Sequence, residues 1–109
     1  MIACDLQTPD LDAPVRKLAF DVADAAQIQR AMGQVANDPP DVLINNAGLQ
    51  YVAPLEEYPP ERWQQLIAVM LTGAALLTRA ALPAMRRRGF GGIVHIGPIH
   101  SLVAWRYKS

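Results

Sequence analysis

The stretch Asp41-Val42-Leu43-Ile44-Asn45-Asn46-Ala47-Gly48 limits this chain more than any other, because a short apolar run stops at two amides and then at two residues with almost no side chain. Val42, Leu43 and Ile44 form the continuous apolar run that suits a strand buried on both faces of a parallel sheet. Ligands of such sheets lie at the carboxyl ends of the strands. Asn45 and Asn46 can tie the following turn to neighbouring strands through side-chain hydrogen bonds. Ala47 and Gly48 leave the backbone open to a flat ring or a ribose. The same residues also suit an ordinary Asn-rich turn.

Around this stretch, short apolar runs alternate with helical ones, the pattern of an α/β doubly wound sheet. Strands are predicted at Met1–Asp5 and Val15–Phe20, joined by a loop from Gln7 to Pro14. Asp24 is a helix N-cap, and Ile28, Met32 and Val35 recur at helical spacing until Asn37-Asp38-Pro39-Pro40 ends the helix. The strand Asp41–Asn45 follows. Pro59 and Pro60 open a long helix, Glu61–Arg88, which Pro83 should bend. Arg86, Arg87 and Arg88 suit the negative end of that helix as capping and solvated surface, and Gly89 stops it. Gly91 to Ile96 reads as the last strand. The whole, 1–109, is predicted to be a single partial domain.

Ten basic residues balance ten acidic ones, so the chain offers no electrostatic footprint for nucleic acid or an anionic membrane. Cys4 has no partner for an internal disulfide and falls in an apolar strand pattern, where a buried inert thiol is expected; this fits a reducing cytoplasm. The apolar stretch from Leu66 to Leu82 carries Gln65, Thr72, Thr78 and Arg79 in or beside it and reads as a packed helix, not a membrane span.

Asn45-Asn46-Ala47-Gly48 resembles the signature of the short-chain dehydrogenase/reductase family, and the likeness runs along essentially the whole chain. Met1–Asp5 looks like the strand whose terminal acid takes the adenosine ribose, Phe20-Asp21-Val22 like the adenine-binding Asp-Val, and Gly91–Ile96 like the strand that delivers a catalytic serine. Within the family the likeness is greatest to the D-3-hydroxybutyrate dehydrogenase branch. There Gln50, His100 and Lys108 fall on positions that bind the substrate carboxylate. The resemblance implies a partial Rossmann-like domain, an NAD cofactor, a short 3-hydroxy acid substrate, and homo-oligomers formed through the 61–88 helix. It places Asp5, Asp21, Val22, Asn45, Asn46, Ala47 and Gly48 at the cofactor. An acid at Asp5 would repel a 2′-phosphate and favour NAD, although it suits a solvated strand end equally well. Asp21 could equally belong to the turn into the next helix.

The family's chemistry needs a proton acceptor, an oxyanion donor and a group that tunes the acceptor, supplied by Tyr, Ser and Lys, with a helix Asn organising a relay water. Met70 stands at the Asn position, in Ala68-Val69-Met70-Leu71-Thr72-Gly73, and a thioether donates no hydrogen bond. Pro98 stands at the Ser position and supplies neither hydroxyl nor N–H. Tyr107 and Lys108 are adjacent and do not form Tyr-x-x-x-Lys, and the family's glycine-rich phosphate loop, which the resemblance puts before the strand at Met1, is expected to be missing from this fragment. The resemblance also puts the family's first strand between those at Met1 and Asp41. The sheet is therefore expected to lack that strand and the C-terminal half, leaving two strand edges unpaired. Two functions fit this chain: a dehydrogenase fragment inactive as given, and a non-catalytic remnant that acts by helix-mediated subunit association.

Overall fold

A computed structural model of the chain describes residues 1–7 and 15–97. Its elements follow the predicted alternation: β1 (Ile2–Asp5), β2 (Arg16–Ala19), α1 (Ala25–Gln34), β3 (Val42–Asn45), α2 (Pro60–Ile67), α3 (Ala74–Arg88) and β4 (Gly92–His95). The loop from 8 to 14 and everything from Pro98 onward lie outside the described residues.

Among the described residues the strands form two parallel pairs, β1 with β2 and β3 with β4, and the pairs do not hydrogen-bond to one another. This is the interruption expected between the strands at Met1 and Asp41. What joins the halves is the helix layer. Leu18 and Phe20 of the β2 segment pack with Ile28, Ala31 and Val35 of the α1 segment, and Leu76 and Leu77 of α3 pack against that cluster. The radius of gyration, 15.7 Å, exceeds the ~13 Å of a compact domain of about this length, as an opened sheet should.

Two expectations about burial are corrected by this openness. β3 is not buried on both faces. Leu43 and Asn45 are half-buried on the side that α3 covers, whereas Val42 is 50% and Ile44 60% exposed. In β1, Cys4 is exposed rather than buried, because only one edge of that strand is paired among the described residues. Its sulfur still has enough neighbours for desolvation to raise the thiol pKa.

Local signals act where they were read. The Asp24 carboxylate accepts from the N–H groups of Ala26 and Gln27 at 2.9 and 3.1 Å, and its bonds to Gln27 lead in holding its pKa below the usual value. Gly89 closes α3 at φ 69°, in the left-handed region open to glycine. Arg88 does more than cap, since its guanidinium donates to the Pro39 carbonyl at 2.9 Å and pairs with Asp41, clipping the start of β3 to the end of α3. Pro83 lies inside α3 without ending it. The break in helical register falls earlier, at a π-helical turn, Ala68–Gly73, that no proline or glycine pair announces. The continuous helix Pro60–Arg88 is long and apolar enough to cross a membrane, yet only 11% of its most apolar window is buried within the chain. Among the described residues Ile67, Met70 and Leu71 of this stretch are exposed, whereas Leu76 and Leu77 pack on the core.

Gly73 sits where that helix crosses the end of β2. A Cβ on it would lie 2.5 Å from the Val22 carbonyl oxygen, backbone that has little room to move. Gly73→Ala is expected to cost about 1–3 kcal/mol as an overpacked contact. Gly33→Ala, in the last turn of α1 with nothing within 4 Å of an added Cβ, should gain about 0.4–1 kcal/mol by restricting the unfolded chain. Urea unfolding of the two variants checks both signs.

Candidate functional site

The carboxyl ends of β3 and β4 form the floor of the site. Asn45 and His95 are register partners across the pair, and the flanking ladder bond runs from Ile96 N–H to the Asn45 carbonyl at 2.9 Å. The Asn45 side chain turns beneath α3. Its Nδ2 lies 3.4 Å from Thr78 Oγ1 and 3.2 Å from His95 Nδ1, while its buried Oδ1 has no partner among the described residues. The side-chain tie expected of Asn45 is therefore present, to β4 and to α3. Sequence reasoning missed Thr78 and His95 as its partners. An Asn at a strand end, needing donors and acceptors it cannot find locally, was the available signal.

Beyond Asn45 the chain opens. Asn46, Ala47 and Gly48 are exposed, and a Cβ placed on Gly48 would meet only the Asn46 carbonyl, at 3.9 Å. Among the described residues, Gly48 itself presents no side chain to a flat group there.

β1 and β2 supply two acids at the matching ends of their strands. The Asp5 carbonyl accepts from Phe20 N–H at 3.0 Å, which draws Asp5 and Asp21 close in the fold. Asp5 is exposed, and one carboxylate oxygen accepts from Leu6 N–H at 2.7 Å. Asp21 takes the turn role weighed for it. Its Oδ1 accepts from Ala23 N–H at 2.8 Å, and its own N–H donates to Gln27 Oε1 at 2.9 Å. Val22 packs against the core cluster and presents its carbonyl to Gly73.

Gln50 is exposed in the loop after Gly48. That loop is held by aromatic contacts the sequence reading did not single out. Tyr51 meets Tyr58 edge to face at 5.0 Å, and Tyr58 meets Trp63 of α2 at 5.9 Å. The Arg62 guanidinium lies 5.7 Å from the Tyr51 ring centroid, and the Tyr58 hydroxyl donates to the Tyr51 carbonyl at 3.4 Å. Gln50 is thus carried next to a ring anchored on the helix. Met70 lies in the π turn, 39% exposed. Pro98, His100 and Lys108 lie outside the described residues, so of the three carboxylate positions only Gln50 is placed. Among the described residues no three His, Cys, Asp or Glu side chains group as metal ligands.

Comparison with known proteins agrees with this geometry. The family pattern described as short chain dehydrogenase matches residues 4–109. The chain is 44% identical over 91 residues to the D-beta-hydroxybutyrate dehydrogenase of Cupriavidus necator, covering 82% of this chain and 35% of that protein. It is 38% identical over 91 residues to the D-beta-hydroxybutyrate dehydrogenase of Rhizobium meliloti, with the same coverage. The crystal structure of a gluconate 5-dehydrogenase from Burkholderia cenocepacia, in complex with NADP and tartrate, superposes with a TM-score of 0.81 at 33% identity, over 87% of this chain and 38% of that one. The chain spans about a third of the length of the curated relatives it matches.

The aromatic contacts imply that the Gln50 loop depends on Tyr58. Tyr58→Ala removes two edge-to-face pairs, each worth about 0.5–1.5 kcal/mol. Amide exchange at Leu49 to Ala53 should then accelerate while protection in β3 and β4 is kept; unchanged exchange in the loop would show that something else holds it.

Proposed function

Because the chain belongs to the short-chain dehydrogenase family, we propose that it carries the cofactor floor and part of the substrate site of a nicotinamide-dependent oxidoreductase acting on a short 3-hydroxy acid. The observation that carries this reading is the 44% identity to a D-beta-hydroxybutyrate dehydrogenase over a segment whose strand end is open in the way a flat ring requires.

The residues present fit the cofactor in part. Asn45, Asn46, Ala47 and Gly48 would face the nicotinamide half, while Asp5, Asp21 and Val22 would face the adenosine half. The exposed Asp5 carboxylate, with one oxygen held by Leu6 N–H, would accept from ribose hydroxyls and disfavour a 2′-phosphate, so NAD is the proposed cofactor. A bound nicotinamide would supply the hydride-accepting chemistry. The protein's part is to hold the substrate carboxylate with Gln50, His100 and Lys108 and to move the hydroxyl proton. Met70 and Pro98 remove two of the polar groups that move or stabilise it in the family. We infer that the 109 residues do not turn over substrate, since loss of one oxyanion donor alone costs ~10²–10³-fold.

The test grafts this segment into the Cupriavidus necator enzyme in place of the matching residues. As given, the chimera should form no NADH from D-3-hydroxybutyrate at 340 nm. With Met70→Asn and Pro98→Ser it should recover, and should prefer the acid to the analogue lacking the carboxylate. Lys108→Ala should then lower kcat/KM by about 1.5–3 kcal/mol, the worth of a hydrogen bond to a charged group. Equal use of acid and uncharged alcohol, or no effect of Lys108→Ala, contradicts the carboxylate assignment.

A second reading, a remnant that acts by subunit association in the cytoplasm, draws on one observation. Trp63, Ile67, Met70 and Leu71 are 39–63% exposed at helical spacing on the Pro60–Arg88 helix. We propose that a second copy covers this stripe. Sedimentation should show a dimer that Leu71→Glu dissociates; a monomer at all concentrations counts against it.

A further inference from the structure

The Asn45 amide is paired at one end only, and its paired end meets a titratable ring. Nδ2 carries two N–H groups, one towards Thr78 Oγ1 and one towards His95 Nδ1, so both neighbours must act as acceptors. His95 can accept at Nδ1 only while neutral, with its proton on Nε2. The buried Oδ1 meanwhile has no donor among the described residues. Rotating the planar amide by half a turn exchanges oxygen and nitrogen in the same volume. Oδ1 would then accept from Thr78 and from His95 Nδ1–H, and the NH₂ group would take the unpartnered place. Thr78 serves either orientation, because a hydroxyl both donates and accepts. Each orientation therefore leaves one buried end unpaired, and the protonation state of His95 decides between them.

We propose that Asn45 and His95 form a proton-driven switch at the carboxyl end of the β3–β4 pair. A proton from solvent adds to His95 Nδ1, which faces the Asn45 amide. Donor then faces donor, and the amide turns so that Oδ1 accepts a charge-assisted bond. His95 is exposed, so the proton has access. Among the described residues no charged side chain bonds to the ring. β3 contributes Asn45, and the acid just before that strand, Asp41, stands at its opposite end paired with Arg88. α3 contributes Thr78 to the same amide, and its next residue, Arg79, is exposed. The switch is independent of the proposed catalytic reading, since it needs only these three side chains.

The experiment follows the ¹⁵N-labelled full chain by NMR from about pH 8 to pH 5, the range in which imidazole titrates. The expected result has three parts. The His95 ring is the Nε2–H tautomer at pH 8, the Asn45 side-chain NH₂ resonances move with the same midpoint as the ring, and His95→Asn abolishes that movement. A ring protonated at Nδ1 at pH 8 would overturn the proposal, as would an Asn45 amide that stays still while His95 titrates or that titrates equally in the variant. Should His95→Asn not fold, the tautomer and the paired midpoints in the unaltered chain decide alone.

Discussion

The contact on which the rest of this structure depends is between α1 and α3. Among the described residues the two strand pairs share no hydrogen bond, so no ladder there transmits position from β1 and β2 to β3 and β4. Leu76 and Leu77, set against Leu18, Phe20, Ile28, Ala31 and Val35, do that instead. The burial is apolar and non-directional, so it can hold the two strand pairs together without a ladder between them among the described residues. Gly73 lets the long helix approach the Val22 carbonyl closely enough for this packing. A parallel sheet is ordinarily covered on both faces. Among the described residues the helices leave Val42, Ile44 and Val94 exposed.

That mechanical arrangement separates recognition from chemistry. The strand ends that would receive a planar ring are held by Asn45 under α3 and by the open turn through Gly48. At the positions where the resemblance puts the family's proton-handling groups, Met70 offers no donor and Pro98 neither hydroxyl nor N–H. A surface can keep its shape after its acid–base groups are gone, because shape comes from packing and the acid–base function from single atoms.

The strands, α1 and the end of α3 were legible in the sequence because their signals are local: apolar runs, the Asp24 cap, Gly89 in the left-handed region. The interruption of the sheet was legible from the resemblance, which supplied a strand order that composition and periodicity do not contain. What could not be read depends on neighbours distant in sequence. Ile44 and Cys4 were expected to be buried because their sequence context is that of an interior strand, yet burial is decided by what lies across the sheet. The π turn at Ala68–Gly73 leaves no compositional mark. The pairing of Asn45 with Thr78 and His95 spans 33 and 50 positions and depends on how α3 crosses the sheet. Arg88 looked like a cap and proved also to be a clip on Asp41, for the same reason.

The central proposal is that Asn45 to Gly48 form a nicotinamide floor, and that the 109 residues by themselves hold no glycine-rich loop to grip the cofactor's phosphates. Calorimetric titration of the 109-residue chain with NAD tests it most directly. The floor and the two acids alone, with no glycine-rich loop presenting backbone N–H groups to the pyrophosphate, predict binding too weak to saturate at ordinary concentrations. A micromolar dissociation constant would contradict the account, for it would mean that the residues present hold the cofactor by themselves.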